Sequence, residues 1–142
     1  MVPVTIFIIA TTSLIVELIA FSLLLFGYSR KRMRKYRQHG IAMTLAVVLH
    51  LAMIFGWMIA SFVMFFSTTP LNLGNILQVA ALVHVGLGAF AVSAGIWLVG
   101  SWRLRADVQE CFGRRRLMLT TIVVWSGAVL LGILLYAVLV SS

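Results

Sequence analysis

The feature that most constrains this chain is the run Ile41–Phe66, which contains no charged side chain and carries a histidine, His50, in its interior. At ~1.5 Å rise per residue such a run exceeds the ~30 Å hydrocarbon core of a bilayer when helical, so it reads as a membrane span with room to tilt. An ionisable group inside a span is costly to hold in lipid and faces protein, water or a bound group instead. His50 is therefore the first functional clue. On a helix it shares one stripe with His39, Met43, Ala46, Met53 and Trp57.

Composition extends that reading to the whole chain. Of 142 residues 63% are hydrophobic and 10% charged, and the mean hydropathy is +1.13. These values describe an integral membrane protein and exclude an ordinary soluble domain. Apolar blocks at 4–27, 41–66, 75–101 and 117–140 are each long enough to span. The expected fold is all-α, a single transmembrane domain over 1–142 in which four helices form an antiparallel, up-down bundle.

The 11 Lys and Arg residues lie in two segments, Arg30–Arg37 after the first block and Arg103–Arg116 after the third. The second connection, Ser67–Asn75, has none. Positive residues stay on the cytoplasmic side, so the sequence predicts a plasma-membrane (cytoplasmic-membrane) protein with both termini outside and both basic loops in the cytoplasm. The net charge of +8 is thus a topology signal. Membrane lipids with anionic headgroups are natural partners for these loops. Nucleic acid is not, because no basic domain with interleaved aromatics is present.

The first block lacks the charged start and small-residue cleavage site of a secretory signal, so it is expected to remain as the first helix. It holds Glu17, with Ser13 and Phe21 one turn away on the same face and Tyr28 further along it. One role for Glu17 is a structural hydrogen bond to a neighbouring helix. The other is that of a metal ligand, proton carrier or partner to a histidine, and a carboxyl so deep in a span favours it. His39 stands where the second helix enters the membrane. The third block carries His84, followed along one side by Gly88, Ala91 and Gly95; small residues at this spacing admit a neighbouring backbone, or the flat face of a porphyrin. In the fourth, Thr121, Trp125, Gly132 and Tyr136 share a side. The lone cysteine, Cys111, sits in the second basic loop, where it cannot form an intrachain disulfide and is expected to be a reduced thiol.

Depth brings the polar residues together. Counted from Ile41 and Asn75, His50 and His84 each lie about 13 Å in from opposite faces of a ~30 Å core, and Glu17 lies about 19 Å in from Val4. All three approach the midplane. A helical bundle with imidazoles on facing helices is a familiar way to hold haem b, with iron bound on both sides. On that reading His50 and His84 are the ligands, Gly88 leaves room for the ring, and His39 is a weaker cofactor-binding position. The alternative is a small metal site of His50, His84 and Glu17, with Met43 suited to copper, or with another transition metal.

The pattern His39-x3-Met43, His84 in the next helix, and Trp125-x6-Gly132-x3-Tyr136 in the last resembles the DUF420 family of small four-helix membrane proteins, over most of residues 30–140. The family has a histidine at the start of its last helix where this chain has Arg114, and does not regularly have one at the position of His50. The resemblance implies a role in maturation of haem-copper terminal oxidases, with His39, Met43 and His84 as functional positions.

The expectation is accordingly a haem- or metal-binding membrane protein of respiratory electron transfer or terminal oxidase assembly. Its partners would be a respiratory oxidase or other membrane redox complex, or a second copy of the chain in a homo-oligomer. Two other classes compete with it. A proton-coupled small-molecule transporter would use Glu17, but the two basic loops fix one orientation. A structural accessory subunit of a membrane complex explains the hydrophobicity and not the polar residues. Without a nucleophile paired to a base, a glycine-rich phosphate loop or a soluble domain, a stand-alone enzyme is not expected.

Overall fold

The computed structural model describes residues 4–68, 72–102 and 113–141. Five helices account for them: α1 (Val4–Arg32), α2 (Tyr36–Met53), α3 (Ile59–Thr68), α4 (Ile76–Trp102) and α5 (Arg115–Ser141). A single wide π turn, Ile54–Met58, joins α2 to α3, so that α2, the π turn and α3 form one long rod. No strand occurs among the described residues. Four helices, Val4–Arg32, Tyr36–Met64, Ile76–Ser101 and Arg115–Ser141, are long and apolar enough to cross a membrane.

These helices run past the uncharged blocks because a helix ends where its backbone is capped, not where hydrophobicity stops. Arg30, Lys31 and Arg32 form the last turn of α1, where positive charge complements the helix dipole. The chain then reverses at Arg34, whose φ of 59° is left-handed, with Lys35 N–H donating to the Arg30 carbonyl. As a result His39 lies inside α2 rather than in a loop. At the other connection the Asn75 side chain accepts the Leu77 N–H and caps α4, and Asn72 closes the preceding turn onto Gly74.

Helix α1 packs against α2 and α5, and α4 packs against the same two, which closes a four-sided bundle. The contacts are made through small residues: Ala20, Ala42, Ala46, Ala91 and Ala128 are buried alongside Leu24, Val47, Trp125 and Val129. At Gly27 a Cβ would lie 3.2 Å from that of Ala42, and at Gly95 it would lie 2.9 Å from Val47 Cγ2. Close backbone approach of this kind is what small residues supply where lipid removes the hydrophobic drive between helices. The outward faces are equally apolar, with Phe55, Val123 and Leu134 largely exposed, as expected of helices that are hydrophobic all round. Beyond the π turn the packing changes. Helix α3 makes its main contacts with the π turn itself, not with α1, α4 or α5. A large cavity lies in the space between them.

Candidate functional site: a carboxylate–imidazole–indole cluster beside a cavity

Glu17 is buried, and both carboxyl oxygens are occupied. Trp125 Nε1, which can only donate, bonds Oε1 at 2.7 Å, and Oε2 lies 2.6 Å from His50 Nδ1. The His50 and Trp125 rings lean on each other, 4.7 Å between centroids and tilted by 49°. Three helices thus meet in one polar knot at the centre of an apolar bundle. Its cost is offset only because nearly every polar atom is paired. The exception is His50 Nε2, which is enclosed and has no hydrogen-bond partner.

On one side of the knot lies a cavity of about 400 Å³, within the ~300–1,000 Å³ range of small-molecule sites. Glu17, Ser13, Trp57, Ser61, His84 and Tyr136 line it among aliphatic and phenylalanine side chains, with contributions from every spanning helix. Tyr136 closes part of the wall by bonding Thr11 Oγ1 at 2.8 Å. Ser61 behaves differently from most other helical hydroxyls. Thr11, Ser13, Thr44, Ser93 and Thr121 bond the carbonyl four residues back, whereas Ser61 Oγ, just past the π turn, is buried without a partner.

His84 is held from behind. Its Nδ1 lies 2.9 Å from the Ala128 carbonyl, and since a carbonyl only accepts, Nδ1 carries the hydrogen. In a neutral imidazole that leaves the lone pair on Nε2. The ring rests in the notch over Gly132, one turn beyond Ala128, where a Cβ would come within 3.1 Å of His84 Cε1. A histidine tied through Nδ1 to a backbone carbonyl, with Nε2 free in a cavity, is the arrangement that orients a metal-binding imidazole.

The remaining positions fall elsewhere. His39 and Met43 line a separate pocket of about 70 Å³, together with Val47, Arg114, Thr121 and Trp125, and His39 Nδ1 bonds the Gly27 carbonyl at 2.8 Å. Gly88 faces open space, since a Cβ there would meet nothing within 4 Å, and the glycine in contact with the His84 ring is Gly132. Glu17 and His50 are in contact, and Glu17 and His84 share the large cavity, but no hydrogen bond or ring contact joins His50 to His84 among the described residues, and His50 does not line the cavity. Groups of three or more His, Cys, Asp or Glu poised to hold a metal ion do not occur among the described residues. Cys111 lies outside them. The residues that sequence reasoning underused are Trp125 and Gly132, both visible in the shared face of the last helix, and Ser61, for which only the π turn gives a signal.

Comparison of the chain with known protein families, with curated proteins and with solved structures finds no match.

Proposed function

We propose that this is an integral membrane protein that holds a haem or other metal-centred group in the large cavity through Nε2 of His84, in the service of respiratory electron transfer or terminal oxidase assembly. The observation that carries this reading is the state of His84: Nδ1 spent on the Ala128 carbonyl, Nε2 free, the ring seated over a glycine beside a cavity of about 400 Å³. The donor set fits such a group. An imidazole lone pair suits iron, copper or zinc, and the flat aromatic and aliphatic wall of Trp57, Phe62 and Val129 suits a porphyrin. Bound there, the group would supply one-electron chemistry. The chain's own residues would orient it, through Gly132 and Ala128, and would keep water away from it.

Glu17 and His50 are assigned a different part, since Oε2 and Nδ1 are taken up by their mutual hydrogen bond. The respiratory setting rests on the resemblance to the DUF420 family. It is tested by co-purification of the protein with an oxidase subunit from native membranes; retrieval of no respiratory component would remove it. The binding itself is tested by metal analysis and by the absorption spectrum of the purified protein.

The up-down topology belongs to the same proposal. With all basic residues confined to the segments around Lys31 and Arg115, both termini lie outside. A periplasmic-type reporter such as alkaline phosphatase fused at Ser142 is expected to be active, and the same reporter fused after Arg37 inactive. The reverse pattern would invert the assignment.

A further inference from the structure

We infer that the Glu17–His50 pair is the gate of a proton path through the bundle, connecting the large cavity with the His39 pocket. The two spaces share no lining residue, and the polar knot stands between them. Glu17 lines the large cavity. Trp125, which leans on His50, and Val47, one turn before it, line the His39 pocket. His50 itself lines neither space but links a residue of each: its Nδ1 faces the Glu17 carboxylate and its ring leans on Trp125, while Nε2 is enclosed without a partner. A buried imidazole with one nitrogen bonded to a carboxylate and the other unpartnered has no purely structural account, because an unpaired buried nitrogen costs about 1–3 kcal/mol. It is well suited to passing a proton, which can enter at one nitrogen and leave from the other.

The step balances without any other reactant. Tautomer exchange first moves the His50 hydrogen from Nδ1 to Nε2; a proton from the large cavity then reaches the Glu17 carboxyl and passes from Oε2 to Nδ1, and the Nε2 proton departs towards the His39 pocket. One proton enters and one leaves, and His50 is again hydrogen-bonded to the carboxylate through Nδ1. The pocket's volume of about 70 Å³ is enough for water, which needs ~10–15 Å³ and polar partners. Thr121, Ser101, His39 and Arg114 supply the partners. The titratable and charged groups facing the path are few. His84 and Tyr136 face the large cavity, His39 and Arg114 face the pocket, and Lys31 stands beside Met118 at the pocket wall. Arg114 and Lys31 place positive charge on the pocket side of the path.

The test is proton uptake by phosphatidylcholine vesicles containing the purified full chain, read by trapped pyranine under a valinomycin-set potassium potential. Wild-type vesicles are expected to acidify faster than protein-free ones. Glu17→Gln keeps the acceptor for Trp125 but cannot carry a proton, and is expected to fall to the protein-free rate. Trp125→Phe keeps the pair and is expected to conduct. Equal rates in wild-type and protein-free vesicles, or full conduction by Glu17→Gln, would overturn the inference. The assay reads proton flux and not metal or haem content, so this result stands or falls separately from the binding proposal.

Discussion

Glu17→Ala is expected to destabilise the protein by about 3–5 kcal/mol, the cost of removing one partner from a buried pair. The substitution strips two donors at once. Trp125 Nε1 loses its acceptor at 2.7 Å and His50 Nδ1 its partner at 2.6 Å, both at buried side chains. It also leaves a void between α1 and α5 where Leu24 and Val129 pack near the knot. Glu17→Gln is the informative contrast. Its side-chain oxygen still accepts from Trp125, and its amide can donate to Nδ1 once His50 takes the other tautomer, so it is expected to cost about 1 kcal/mol. Thermal or denaturant unfolding of the detergent-solubilised variants checks both values. A Glu17→Ala protein as stable as Glu17→Gln would show that the cluster contributes little to the fold.

The second large effect is expected at Gly132, a residue with no chemistry of its own. A Cβ there would lie 3.1 Å from His84 Cε1 and 3.6 Å from Nδ1. Gly132→Ala requires the imidazole to shift by a few tenths of an ångström, which a hydrogen bond of 2.9 Å to Ala128 can partly absorb. Gly132→Leu puts a branched side chain into the ring's seat and into the cavity. Bound metal or haem is therefore expected to fall modestly in the alanine variant and to near zero in the leucine variant, with the helical circular-dichroism spectrum retained in both. Full occupancy in Gly132→Leu would mean that the seat under His84 plays no part in binding.

Much of this architecture is legible in the sequence because long uncharged runs admit few solutions. Uncharged runs of sufficient length predict the four long helices, and helix rise converts residue counts into depth. That arithmetic places Glu17 and His50 at a common level, and they are hydrogen-bonded to each other. What depth cannot give is the direction in which a side chain turns. His84 has the depth expected of a partner to His50, yet its Nδ1 is spent on α5. Helix faces depend on packing, and packing here is set by which small residues meet: Gly95 against Val47, Gly27 against Ala42, and Gly132 against His84. Gly88 follows His84 on the same helix and so attracts attention in the sequence, but the glycine that receives the imidazole belongs to α5, far away in the chain. The π turn at Ile54–Met58 has a related effect. It shifts the register of the helix partway along, so a stripe extrapolated from His39 through His50 does not continue regularly to Trp57. No proline marks the site, and the local sequence gives no reason to expect a wide turn.

The role of Trp125 shows the same limit from another side. In sequence it is an aromatic on an apolar helix face, where indole most often serves as packing. Its Nε1 needs an acceptor when buried, and Glu17 is the one acidic residue in any of the four apolar blocks. That pairing could be drawn from satisfaction of hydrogen bonds alone, without knowing the fold. Ser61 could not, since its isolation depends on the backbone geometry that follows the π turn.

The measurement that tests the central claim most directly is the metal content and the oxidised and reduced absorption spectra of the purified wild-type protein, compared with His84→Ala and His39→Ala. The account predicts a bound metal or haem in the wild type, its loss in His84→Ala through removal of the coordinating nitrogen, and its retention in His39→Ala, since His39 lies in the other pocket. A folded wild-type protein that carries neither metal nor haem, or a signal that survives His84→Ala unchanged, would contradict it.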